Sequence, residues 1–229
     1  MNTILVYSYF LFAINGKSIN QGTAFFVEKN EQLYLVTASH NFHTDKTSKS
    51  KTSDFFYIRL ITKKENKTEF IKIENNPIKL EENIDLSFYK VSFQKEYFIS
   101  KIKLKEEKVK ISNNILCYGF AVVDGNEDNF QKYIETLKPT VFRGLLQRDY
   151  DKPIIYLETK EKDYDNYVVK YKSETLGRGT SGAPVFFKKV NKNGEYIYQF
   201  GGLIHIRNET DKIARILRPE KIIEHFNKL

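Results

Sequence analysis

Arg178-Gly179-Thr180-Ser181-Gly182-Ala183-Pro184-Val185-Phe186-Phe187 is the stretch on which the reading of this chain turns. A serine lies between two glycines, and Pro184-Val185-Phe186-Phe187 reads as a buried strand. One hydroxyl is therefore held at a tight bend that opens into a strand. Glycines at such a bend let backbone N–H groups turn toward a carbonyl oxygen, as an oxyanion hole requires. Small-residue turns before strands are common in themselves. The segment gains meaning from two others.

The first is Gly22-Thr23-Ala24-Phe25-Phe26-Val27, a polar turn at Glu28-Lys29-Asn30-Glu31, and then Tyr34-Leu35-Val36-Thr37-Ala38-Ser39-His40. Two apolar runs flanking a polar turn predict a hairpin, with His40 just past its second strand. The second is Asn83-Ile84-Asp85-Leu86-Ser87-Phe88-Tyr89-Lys90-Val91. Here a single carboxylate opens a strongly apolar strand, a costly place unless a partner bonds it. A histidine N–H would suit. Serine, histidine and aspartate together make a nucleophile that none makes alone. The imidazole takes the serine proton, and the carboxylate fixes the ring tautomer and stabilises the imidazolium.

The chain order His40, Asp85, Ser181 is that of the chymotrypsin-like enzymes rather than the subtilisins or α/β-hydrolases. At these motifs the sequence resembles the trypsin/chymotrypsin-like serine peptidases, and among them the bacterial trypsin-like peptidase domains. Leu35-Val36-Thr37-Ala38-Ser39-His40 is similar to that family's LTAAH, Asp85 to Val91 to its DIALLKV, and Gly179 to Pro184 to its GDSGGP. Weaker echoes lie at Cys117-Tyr118-Gly119-Phe120 and Gly202-Leu203-Ile204-His205.

The resemblance implies an all-β fold. It would consist of two six-stranded antiparallel Greek-key barrels with the active site between them and a short C-terminal helix. It implies a serine endopeptidase acting on protein or peptide substrates through an acyl-enzyme, with His40, Asp85 and Ser181 catalytic. The backbone N–H groups of Gly179 and Ser181 would form the oxyanion hole. Bacterial stand-alone domains of this kind are often found in signalling or defence settings. An unadorned protease inside a cell needs restraint, whether narrow specificity, a disordered oxyanion loop or a regulatory protein partner.

Departures from the family pattern matter as much. Thr180 stands where digestive-type members carry the aspartate that pairs with a newly cut N-terminus, so activation by that ion pair is not expected. Ala183 replaces a glycine. The specificity pocket of the family would draw on Thr175, Leu176, Ile204 and His205. Thr175 stands where trypsin-like members place an aspartate, so cleavage after Lys or Arg is not supported. His205 is similar to the histidine that reads Glu or Gln in glutamyl endopeptidases and picornavirus-type proteases. Its register is uncertain by one residue, and the alternative turns it toward Asp85. His43 and His225 are expected at the surface.

The motifs divide the 229 residues into an N-terminal barrel over 1–98 carrying His40 and Asp85 and a crossover over 99–113. A C-terminal barrel over 114–229 carries Ser181 and a terminal helix over 219–228. A hydrophobic content of 41% and an aromatic content made of Tyr and Phe, without Trp, suit strands with real cores. Met1 to Ile14 is apolar but lacks a basic leader and a small-x-small cleavage site. Ile4, Val6, Phe10 and Phe12 share one parity, so a first strand over Thr3–Ile14 is expected instead of a signal peptide.

Cys117 is the only cysteine, so no intramolecular disulfide can form. With no leader, that favours a reducing, cytoplasmic setting. No run is long enough to cross a membrane as a helix, and no membrane partner is expected. The formal charge of +8 comes from lysines interleaved with acids and not from an Arg-rich stripe, so nucleic acid is not the expected partner. The histidines lack ligand spacing, and neither a metal nor another cofactor is expected. Two rival classes remain to weigh. A catalytically silent binding module should have lost a triad member, and none is lost. A lipase elbow needs a helix after its serine, where this chain has a proline-led strand.

Overall fold

The central strands of this chain are buried on both faces, because each serves two cores. A computed structural model describes residues 7–15, 18–42, 53–78, 84–93, 95–105, 114–120, 140–146, 154–155, 162–163, 166–171, 179–208 and 213–229. In the N-terminal half these include β1 (Tyr9–Asn15), β2 (Ser18–Lys29), β3 (Gln32–Thr37), β4 (Phe55–Ile61), β5 (Thr68–Glu74), β6 (Ser87–Val91) and β7 (Lys101–Ile102). The C-terminal half holds β8 (Asn114–Gly119), β9 (Thr140–Leu146), β10 (Ile154–Ile155), β11 (Lys162–Asp163), β12 (Asn166–Tyr171), β13 (Pro184–Val190), β14 (Tyr196–Asn208) and β15 (Ile213–Leu217). Among the described residues one α-helix, α1, spans Pro219–Asn227.

Along β2, Ala24 and Phe26 point into the N-terminal barrel with Leu33 and Leu35 of β3, while Phe25 and Val27 point out of it with Tyr34 and Val36. Strands β8 and β13 repeat the pattern. Ile115, Cys117, Val185 and Phe187 fill the C-terminal barrel, whereas Leu116, Tyr118 and Phe186 face outward. The outward sets of both halves meet in one shared core, which also takes Phe88, Phe200, Leu203, Leu217, Ile222 and Phe226. This is the period of two that a pleated strand imposes, used for two purposes at once.

The fold is the expected two-barrel, all-β arrangement with a C-terminal helix. The C-terminal half closes into a six-stranded barrel in the order β12-β15-β14-β13-β8-β9. Among the described residues the N-terminal half is a seven-stranded sheet curled into a half-barrel. Its path runs β5-β4-β1-β2-β3-β6, and β7 joins β2 in parallel. Among the described residues an isolated bridge between Ile78 and Phe88 draws the chain after β5 alongside β6. Strand β7 lies within the segment expected to be a plain crossover. Ile102 enters the shared core, which is the physical reason for the extra strand.

Helix α1 starts with proline at its first turn, where a missing N–H costs nothing. It buries Pro219, Ile222, His225 and Phe226. His225, expected at the surface, therefore lies on the inner face. Lys29 Nζ reaches the helix C-terminus and donates to the carbonyls of Phe226 (3.1 Å) and Asn227 (2.8 Å). A cation there offsets the negative end of the helix dipole. Among the described residues no helix is long and apolar enough to cross a membrane.

Candidate active site

His40 sits in a single 3-10 turn, Ser39–Phe42, that ends β3. The small residues Ala38 and Ser39 let the chain fold back, with the Asn41 N–H donating to Ala38 O at 3.2 Å. Ser39 Oγ lies 2.8 Å from Ser87 Oγ, tying this turn to the start of β6. Asp85 stands two residues before β6 in a turn closed by Leu86 N–H to Ile84 O (2.9 Å).

The two side chains meet twice. His40 Nδ1 lies 2.6 Å from Asp85 Oδ2, and the His40 backbone N–H donates to Asp85 Oδ1 at 3.0 Å. This double contact fixes the ring so that Nε2 is the nitrogen left for other work. Burial of Asp85 pushes its carboxyl up. The His205 ring facing it and the hydrogen-bonded His40 ring outweigh burial and hold it well below the usual carboxylate range.

Ser181 belongs to the other barrel, at the bend before β13. Gly179 and Gly182 on either side have φ of 90° and 89°, a region that side chains rarely adopt. Gly182 has a second reason to be glycine. A Cβ there would stand 2.0 Å from Thr23 O and 2.3 Å from Thr37 Oγ1. The serine bend is thus pressed directly against the N-terminal barrel.

The seam between them is polar and well satisfied. Thr23 N–H and Asn41 Nδ2 both donate to Ser181 O at 2.9 Å. Thr23 Oγ1 donates to Gly179 O (2.8 Å), and Thr37 Oγ1 donates to Thr23 O (2.7 Å). Ala183 N–H closes the turn onto Thr180 O at 3.0 Å, and Gly182 N–H donates to Ile204 O at 2.7 Å. Among the described residues, the N–H groups of Gly179 and Ser181 have no backbone acceptor. His40 and Ser181 are thereby linked through Asn41, the residue next to His40.

His205 lies on β14 at an irregularity. Ile204 pairs with Ile216 and Ile206 with Arg215, so His205 is the extra residue of a bulge. Its ring is buried, with Nδ1 3.4 Å from Asp85 Oδ2 and Nε2 2.5 Å from Asn166 Oδ1. Of the two registers left open by the sequence, the one realised turns the ring to Asp85. Ile204 is buried inside the C-terminal barrel with Ile115, Cys117, Val185 and Ile216. Thr175 and Leu176 lie outside the described residues, as does His43. Among the described residues no group of three or more His, Cys, Asp or Glu could hold a metal ion.

Thr23, Asn41 and Asn166 were not singled out from the sequence. Asn41 carries a weak signal, a polar residue between His40 and the apolar Phe42. Its partner is 140 positions away, so nothing local reveals what it does.

No protein-family model and no curated protein matches the sequence. Solved structures do match in shape. Deg5 superimposes with a TM-score of 0.58 at 12% identity, covering 96% of this chain and 87% of that one. The protease domain of MamO from Magnetospirillum magneticum gives 0.57 at 16% identity, with 100% and 98% covered. The fold is that of the chymotrypsin-like serine proteases. An inactivated protease paralogue of the scabies mite gives 0.58 at 12% identity, with 98% and 94% covered. The chymotrypsin-like fold is thus shared by proteins described as proteases and by one described as inactivated, so chemistry must be argued from this chain's own residues.

Proposed function

We propose that this protein is a serine endopeptidase that hydrolyses peptide bonds through His40, Asp85 and Ser181. The observation that carries the reading is the double contact of Asp85 with His40, made in the barrel against which the Ser181 bend is pressed. In the first step His40 Nε2 takes the Ser181 hydroxyl proton as Oγ attacks the substrate carbonyl carbon. Asp85 stabilises the imidazolium that forms. The oxyanion is held by the N–H groups of Gly179 and Ser181, which have no backbone acceptor among the described residues. His40 then protonates the leaving amine, leaving an acyl-serine. Water, deprotonated by the same ring, hydrolyses it and restores the hydroxyl.

Substrates are polypeptides. Thr175 and Leu176 are the residues proposed for the pocket that sets cleavage preference, and threonine at 175 in place of an aspartate speaks against Lys or Arg there.

A fluorophosphonate probe tests the reading without knowledge of the substrate. The wild-type protein is expected to label once, at Ser181. Ser181→Ala should not label, and His40→Ala should label slower by roughly 10⁴-fold or more, while both keep the wild-type melting temperature. A folded wild-type protein that does not label would instead be a catalytically silent module on the same fold.

A further inference from the structure

His205 is a buried ring at a bulge, aimed across the seam at the carboxylate that already serves His40. We propose that His205 is a positioning residue. Its Nδ1–H grips Asp85 Oδ2 from the C-terminal barrel, while Asn166 engages the other nitrogen of the ring. The inference rests on the peptidase reading for its consequence and on geometry for its substance.

The proton on Nδ1 follows from electrostatics. Nδ1 is shut off from water and, among the described residues, has no other acceptor or donor in hydrogen-bonding range. If it carried a lone pair, that pair would face an ionised carboxylate 3.4 Å away in a poorly solvated place. If it carries a hydrogen, the same contact is attractive and relieves a buried donor. At 3.4 Å the contact is longer than an ideal hydrogen bond, as contacts in a resting catalytic site often are.

Asn166 Oδ1 lies 2.5 Å from Nε2. As an amide it can accept from Nε2–H of an imidazolium, or turn over and donate to Nε2 of a neutral ring. Nδ1 keeps its hydrogen in both arrangements; a neutral ring donating from Nε2 would instead leave the Nδ1 lone pair facing Asp85, which the carboxylate charge disfavours. Asp85 is then engaged at both oxygens: Oδ1 by the His40 backbone, and Oδ2 by the rings of His40 and His205. A carboxylate held so cannot turn away from His40.

Two measurements test this. The first is NMR of protein labelled with ¹⁵N-histidine, near neutral pH. Two low-field ring Nδ1–H signals are expected, one lost in His40→Ala and the other in His205→Leu. A wild-type His205 whose Nδ1 is unprotonated would overturn the proposal, whether or not the protein is an active enzyme.

The second is the rate of fluorophosphonate labelling at Ser181. His205→Leu should label about 10- to 100-fold slower, the loss expected when a hydrogen bond to a charged group disappears. His205→Asn, whose amide nitrogen can stand where Nδ1 stood, should recover to within a few-fold of wild type. Equal rates for Leu and wild type would refute the positioning role. So would a loss that Asn does not rescue, with both variants folded by circular dichroism. A wild-type protein that never labels would remove the peptidase reading alone, because the NMR result still decides whether His205 grips Asp85.

Discussion

Asp85 is the residue on which the two barrels converge, and its charge is the condition for everything around it. Its carboxyl is held well below the ordinary range despite burial. A folded-state pKa below the unfolded one gives stability that is present above the unfolded value and lost on acidification. The unfolded carboxyl takes up its proton near pH 4, before the folded one does. Below about pH 4 the wild-type melting temperature should therefore fall more steeply than that of Asp85→Asn. Parallel curves in a calorimetric pH series would mean that Asp85 gains nothing from its two rings. Cys117 is the opposite case. Burial pushes its thiol well up, and no partner offsets it. The native protein should leave this cysteine unreacted with iodoacetamide at neutral pH and expose it only on unfolding.

At the scale of elements, the bends outrank the strands. The hairpin of β2 and β3 turns through Asn30 and Glu31, both with positive φ, as a two-residue connection between twisted strands requires. The bend at Gly182 is set by a close approach as well as by φ. Gly182→Ala should destabilise the protein by about 2 kcal/mol or more, because backbone and hydroxyl oxygens stand where the methyl must go. Gly194, in the β13–β14 hairpin, shares the positive φ, but a Cβ there meets nothing within 4 Å. Gly194→Ala should cost only about 1 kcal/mol. Chemical denaturation of the two variants separates the clash from the conformational term. A bulge does comparable work in β14. Gly201 is the extra residue in its pairing with β13, and His205 in its pairing with β15. Bulges next to sites re-aim side chains, and here the side chain is the ring that faces Asp85.

For the whole molecule, the shared core makes two barrels one cooperative body. Phe25, Phe88, Phe186, Phe200 and Phe226 come from both halves and from α1. Phe226 packs near Tyr34 and Phe88 with ring centroids 6.1 and 6.3 Å away. Phe226→Ala should cost about 3–5 kcal/mol. It should lower the stability of both barrels together, because the core it leaves is common to them. The test is whether far-ultraviolet circular dichroism and tyrosine fluorescence follow one transition in the variant as in the wild type. Two separated transitions in the wild-type protein would refute a single unit.

What the sequence determined by itself is local. Apolar runs at Tyr34 to Thr37 and at Pro184 to Phe187 marked the strands, glycines around Ser181 marked the bend, and proline at 219 marked the helix start. A lone carboxylate opening an apolar strand pointed to a partner, and the His40 ring does bond Asp85. The tertiary structure decided what no window of sequence contains. Whether the N-terminal sheet closes depended on strand partners far apart in the chain. His225 looked like a surface residue because its helix lies against a core built from distant strands. The direction of His205 hung on one bulge, since with a period of two a shift by one residue reverses a side chain. Asn41 and Asn166 acquired meaning only when the seam brought them to Ser181 and His205. Hydrogen bonds between barrels have no signature in local periodicity, because either partner alone reads as an ordinary polar residue.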